Sequence, residues 1–90
     1  MRKVKIIEQI DIKVFKNRGP IERWNIGVTD NPVGTRLALM SDGHDVANWQ
    51  QWKADNTLDA QAVNKLFVML GMNEIETDDL MGTPATIYVF

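Results

Sequence analysis

The chain has 90 residues, one small domain by the usual prior of about 100–200 residues per domain. At 44% apolar and 24% charged it is neither a disordered nor a collagen-like composition. Apolar runs stop at five residues, far short of the roughly 18 or more that a membrane-spanning helix needs. With no cysteine, disulfides, thiolate zinc sites and a cysteine nucleophile are excluded together.

The net charge of −2 specifies no partner, but its distribution is uneven. Residues 1–36 hold eight of the ten Lys and Arg against four acids; residues 37–90 hold two against eight. Such asymmetry marks either a surface with a preferred partner or a mixed surface of basic strands and acidic helices. Glu8 and Asp11 interrupt any signal-peptide apolar stretch, so a cytoplasmic, non-membrane protein is expected.

In chain order, residues 4–15 alternate, with Ile10, Ile12 and Val14 on one face. Their β-branched content predicts a strand. Asn17-Arg18-Gly19-Pro20 is turn chemistry, and residues 21–29 follow as a second strand with Trp24, Ile26 and Val28 on one face. The two form a predicted hairpin. Asp30 or Asn31 can cap a helix with Pro32 in its first turn, giving a helix over 32–41 with Leu37 and Met40 or Ser41 inward and Gly43 as its stop. Asp45 can cap a second helix over 46–54, where Val46, Trp49 and Trp52 or Lys53 recur at helical spacing.

Thr57 can cap the most strongly periodic helix, 58–70, in which Leu58, Ala62, Val63, Leu66, Phe67 and Leu70 make a stripe that Gly71 ends. Residues 72–84 read as an irregular acidic connection. Residues 85–90 are apolar enough for a strand covered on both faces. The expected class is α+β: one domain, 1–90, with a small three-stranded, mainly antiparallel sheet flanked by helices in the order β-β-α-α-α-β. Its core should include Ile10, Ile12, Trp24, Ile26, Val28, Leu37, Val63, Leu66, Phe67, Leu70, Ile87 and Val89.

Chemistry-bearing constellations are sparse. His44 sits in Ser41-Asp42-Gly43-His44-Asp45; two flanking acids suit a proton shuttle, and also an ordinary polar turn. One histidine without cysteine makes no usual zinc site. The acids at 74–79 lack the alternating ligands and central glycine of a calcium loop and read as a solvated loop. Trp49 and Trp52, three apart, suit either a recognition stripe or core filling, with Trp52 the more open to an exposed contact.

The stretch Trp24-Asn25-Ile26-Gly27-Val28-Thr29-Asp30-Asn31-Pro32, followed by Arg36-Leu37, resembles the heart of the GIY-YIG nuclease family. That family carries Y-I-G-x-T-x-x-P at the end of a hairpin strand and an arginine on the next helix. Asn25-Ile26-Gly27 stands where Y-I-G would, Thr29 and the Asp-Asn-Pro helix start match, and Arg36 falls near the family's arginine with one extra residue between. Ile12-Lys13-Val14 lies where G-I-Y would. Ala62-Val63-Asn64-Lys65-Leu66-Phe67 with Gly71-Met72 resembles the helix that carries the family's metal-binding glutamate.

The departures decide what the resemblance implies. Val14 and Asn25 leave both tyrosine places without a phenol, and the glutamate place is the neutral Asn64, a weaker ligand for a hard cation. Of the set that cleaves a phosphodiester, Arg36 remains. An arginine still grips phosphate or carboxylate, and a helix-surface ion pair with Asp30 or Glu22 is its plain alternative.

The expectation is a non-catalytic binding module without a metal or other cofactor. It would meet protein or nucleic acid through Lys13, Lys16, Arg18, Arg23 and Arg36. A magnesium-dependent nuclease rearranged around Arg36, His44 and Asp42 or Asp45 is one alternative. An assembly protein using an exposed Trp52 and the acidic loop is the other.

Overall fold

A computed structural model describes residues 1–16, 20–75 and 85–90. In chain order its elements are helix α1 (Lys3–Phe15), a single 3-10 turn (Ile21–Arg23), strand β1 (Asn25–Thr29), α2 (Pro32–Ser41), β2 (Gln50–Lys53), α3 (Thr57–Met69), β3 (Asn73–Glu74) and β4 (Thr86–Val89). The class is α+β. The sheet has four strands in the order β2-β4-β1-β3; β4 is antiparallel to both neighbours and β1 pairs with β3 in parallel.

The final strand, expected to be covered on both faces, lies at the sheet's centre with Ile87, Tyr88 and Val89 fully buried. Its alternation builds two cores. Ile87 and Val89 face a cluster made by Ile6, Ile10 and Val14 of α1, Val63 and Phe67 of α3, Ile26 and Trp52. Tyr88 and Phe90 face the other way, against Leu39 of α2, Val46 and Trp49. The sheet is thus sandwiched between α1 with α3 on one side and α2 with the segment after it on the other.

Four expectations change. Residues 3–15 are helical, not a strand, so there is no N-terminal hairpin and Ile12-Lys13-Val14 forms no sheet strand. Ile6, Ile10 and Val14 recur every four residues, and all three are fully buried against α3, whereas Ile12 points to solvent at 49% exposure. Burial of three large side chains, roughly 1.5–3 kcal/mol each, outweighs β-propensities spanning about 1 kcal/mol. The predicted second strand holds only over Asn25–Thr29.

The predicted helix at 46–54 is instead a turn followed by β2. Asp45 caps a turn by accepting from the Ala47 N–H at 3.0 Å, and residues 50–53 find backbone partners on β4. The sheet has four strands rather than three, because Gln50–Lys53 and Asn73–Glu74 join it.

The helix ends follow the sequence reading closely. Asn31 and Asn56 cap α2 and α3 through their side-chain oxygens, on Gly34 N at 3.1 Å and Asp59 N at 2.8 Å. Asn56, rather than Thr57, therefore caps α3. Gly43 and Gly71 take positive φ, +92° and +121°. Each closes its helix with paired bonds from the following turn: His44 N to Leu39 O and Gly43 N to Met40 O, then Met72 N to Phe67 O and Gly71 N to Val68 O.

Of the expected core, Ile10, Ile26, Val63, Phe67, Ile87 and Val89 are buried, and Trp24 and Val28 are partly so. Ile12, Leu37, Leu66 and Leu70 are exposed. Leu39, not Leu37 or Met40, is the inward residue of α2. The expected turn at 17–19 and most of the acidic connection, 76–84, lie outside the described residues.

Candidate functional site

The segment that carries the family resemblance folds into a locked strand-to-helix passage. Thr29 ends β1 almost fully buried. Its hydroxyl lies 2.7 Å from that of Thr35 and accepts from the Asn31 N–H at 3.0 Å. Asn31 then caps α2, with Pro32 in the first turn, where its missing N–H costs no bond. These contacts fix the direction in which Arg36 leaves the helix.

The Arg36 guanidinium stands 5.9 Å over the ring of Trp49, a cation–π arrangement. Trp49 stacks in turn on Tyr88, with ring centroids 4.5 Å apart and planes 9° from parallel, and lies 5.7 Å from Phe90. Its indole N–H donates to Gln51 Oε1 at 2.9 Å. His44 meets Phe90 edge-on at 5.6 Å. Arg36 and His44 thus share one aromatic cluster, and Arg36 has no ion pair with Asp30, Glu22 or any other described residue.

Tyr88 sits beneath this stack. Its ring lies across Gly27, its register partner on β1, where any side chain would collide with the phenol. The hydroxyl is buried without a hydrogen-bond partner among the described residues, and burial pushes its pKa up from 10.0 to about 12. It stays a neutral phenol at any physiological pH.

The remaining candidates do not converge. Lys13 and Lys16 belong to the end of α1, on the face of the sheet opposite α2. Arg23 is exposed in the 3-10 turn, and Arg18 lies outside the described residues. No basic hairpin joins them to Arg36. Trp52, expected as an exposed contact, is only 7% exposed and belongs to the core with Phe67 and Ile87; the pleat of β2 turns it inward while Gln51 and Lys53 turn out.

Asn64, at the glutamate place implied by the resemblance, donates from Nδ2 to Glu74 Oε2 at 2.9 Å. Its Oδ1 is buried and unpartnered among the described residues. Among those residues, no group of three or more acids and histidine is arranged to hold a metal.

No family model, curated protein or solved structure matches this chain. The site therefore rests on its own geometry. Sequence reasoning singled out Arg36 and His44, which the structure brings to one aromatic cluster, and did not single out Tyr88 or Gly27. The alternation Ile87-Tyr88-Val89-Phe90 was the available signal, since it sends Tyr88 and Phe90 to the face away from Ile87 and Val89. Asn64 with Glu74 was not legible, because the pairing crosses from α3 to β3.

Proposed function

We propose that this chain is a non-catalytic binding module whose strand-to-helix segment resembles that of the GIY-YIG nucleases, without their N-terminal hairpin, and that Arg36 on its aromatic support contacts an anionic group of a protein or nucleic-acid ligand. The observation that carries the reading is the Arg36–Trp49–Tyr88 stack: a cation held over an indole, in reach of solvent, with no acidic partner among the described residues. A guanidinium so held loses little freedom when it meets a phosphate or carboxylate. The helix face around it presents Val33, Leu37 and Met40, all more than half exposed, giving the charge an apolar surround.

Phosphodiester cleavage needs a group to activate water and a means to neutralise developing charge. The one phenol, Tyr88, is buried and stays protonated, and Asn25 and Asn64 carry no charge. A metal-dependent nuclease is the second reading, favoured by one contact: the Glu74 carboxylate lies hydrogen-bonded to Asn64 and could offer oxygen ligands to Mg²⁺ there.

The test is a titration of ¹⁵N-labelled protein with Mg²⁺ and then a short DNA duplex, followed by NMR. The expected result is no saturable metal response, with Arg36 and Trp49 resonances moving on addition of DNA if the ligand is a nucleic acid. Silence to both directs the reading to a protein ligand. Saturable metal shifts at Asn64 and Glu74, with cleavage of plasmid DNA, would replace it with the nuclease.

A further inference from the structure

Helix α2 presents an unburied apolar row. Val33, Leu37 and Met40 follow one another at helical spacing, and all three are more than half exposed, so they share one outward face. Leu39 turns the other way, into the core beneath. Arg36 borders the row, with Val33 and Met40 as its neighbours one turn before and one turn after. On its far side the guanidinium rests over Trp49 at 5.9 Å. Charge, ring and apolar row form one surface about two turns long.

The surroundings of Arg36 select among occupants. A nucleic acid brings a row of phosphates. Within residues 30–45, Arg36 is the one Lys or Arg, against the exposed Asp30, Asp42 and Asp45. That local balance repels a polyanion and still admits a single carboxylate on Arg36. An extended strand needs backbone partners, and the mid-helix backbone of α2 is already bonded within the helix. A second copy, related by a twofold axis through the row, would set Arg36 beside its own equivalent, with Asp30 and Asp42 away at the helix ends; like charges so placed oppose the contact. A helix meets none of these costs. It satisfies its own backbone and can seat an apolar ridge along Val33, Leu37 and Met40.

We infer that this face of α2 docks an amphipathic helix of a partner protein, with the partner's apolar row on Val33, Leu37 and Met40 and one Asp or Glu, at the margin of that row, on Arg36. The inference rests on the reading of Arg36 as a ligand contact and narrows that ligand to one class.

The probe is a phage-displayed library of small helical-bundle proteins, randomised on one exposed helix face and selected on the intact chain. The expected binders carry apolar residues at helical spacing with an acid at their margin. They weaken by about tenfold or more on Arg36→Gln and, separately, on Leu37→Ser. Changing the binder's acid to its amide costs as much, and Arg36→Gln then costs nothing further, as a direct pair requires. Both varied positions are exposed, and unchanged thermal melts show that the variants fold. Binders that need Arg36 but ignore Leu37→Ser, or a short DNA duplex that displaces the binder and moves the Arg36 resonances, overturn the helix and leave Arg36 as a ligand contact. Binders that need Leu37 but ignore Arg36→Gln overturn both readings. Recovery of no binder, or of binders indifferent to both variants, overturns the inference. So does self-association by light scattering that Leu37→Ser abolishes, since the face then belongs to a second copy.

Discussion

Tyr88 is a large side chain on the central strand whose polar end has nowhere to bond among the described residues. A buried, unsatisfied hydroxyl is a cost that its apolar isostere avoids. Tyr88→Phe is therefore expected to raise stability by roughly 1 kcal/mol, read as a shift in the urea midpoint at unchanged slope. The raised pKa fixes the pH dependence. In the unfolded chain the phenol ionises near 10.0; in the folded chain it holds its proton to about 12. The unfolded state then binds fewer protons between these values, so this part of the stability is full below pH 10 and is lost as pH rises through 12. Phenolate absorbance against pH checks the pKa, and Tyr88→Phe should remove this part of the alkaline loss. Across the strand pair, Gly27→Ala forces a methyl into the Tyr88 phenol. It should cost about 1–3 kcal/mol by overpacking, and the cost should shrink when Tyr88 is also replaced by a smaller residue.

The elements show how two periodicities compete in one segment. Lys3–Phe15 contains a strand pattern, Ile10-Ile12-Val14, and a helix pattern, Ile6-Ile10-Val14. The helix wins because it seats three side chains against α3 and β4 at once, and because thirteen residues without a turn are long for a strand, whose common length is about 5–6. Single substitutions separate the two. Ile10→Ala should cost about 2–5 kcal/mol, and Ile12→Ala within about 0.5 kcal/mol, whereas a strand would make them equal. Denaturant melts of the two variants check this. The helix termini were legible because capping is local: Asn31, Gly43 and Gly71 act within a few residues of themselves. Gln50–Lys53 was not, because a four-residue strand exists only through its partner on β4.

At the scale of the molecule, β4 joins everything. It bonds β2 on one side and β1 on the other, and its two faces supply both cores. A chain ending at residue 84 should therefore lose the whole fold rather than fray at one end, seen as loss of the cooperative thermal transition by circular dichroism. The candidate site depends on the same strand. Arg36 was identifiable from its place after the Asp-Asn-Pro helix start, but its support, Trp49 on Tyr88, joins residues about forty apart in sequence. Lys13 and Lys16 would group with Arg36 only in a hairpin; with α1 helical on the opposite face of the sheet, the three lie apart.

The sequence by itself determined the α+β class, the extent of α2 and α3, their glycine stops, and a last strand buried on both faces. Each rests on near-neighbour chemistry: caps, positive-φ glycines, and apolar runs too continuous for a half-exposed strand. Only the tertiary structure decided whether Lys3–Phe15 would coil or extend, whether Trp52 would face the core or solvent, and which aromatic rings would carry Arg36. These outcomes depend on free energy gained by burial against residues far along the chain. That gain exceeds local propensity and cannot be assigned until the partners are in place.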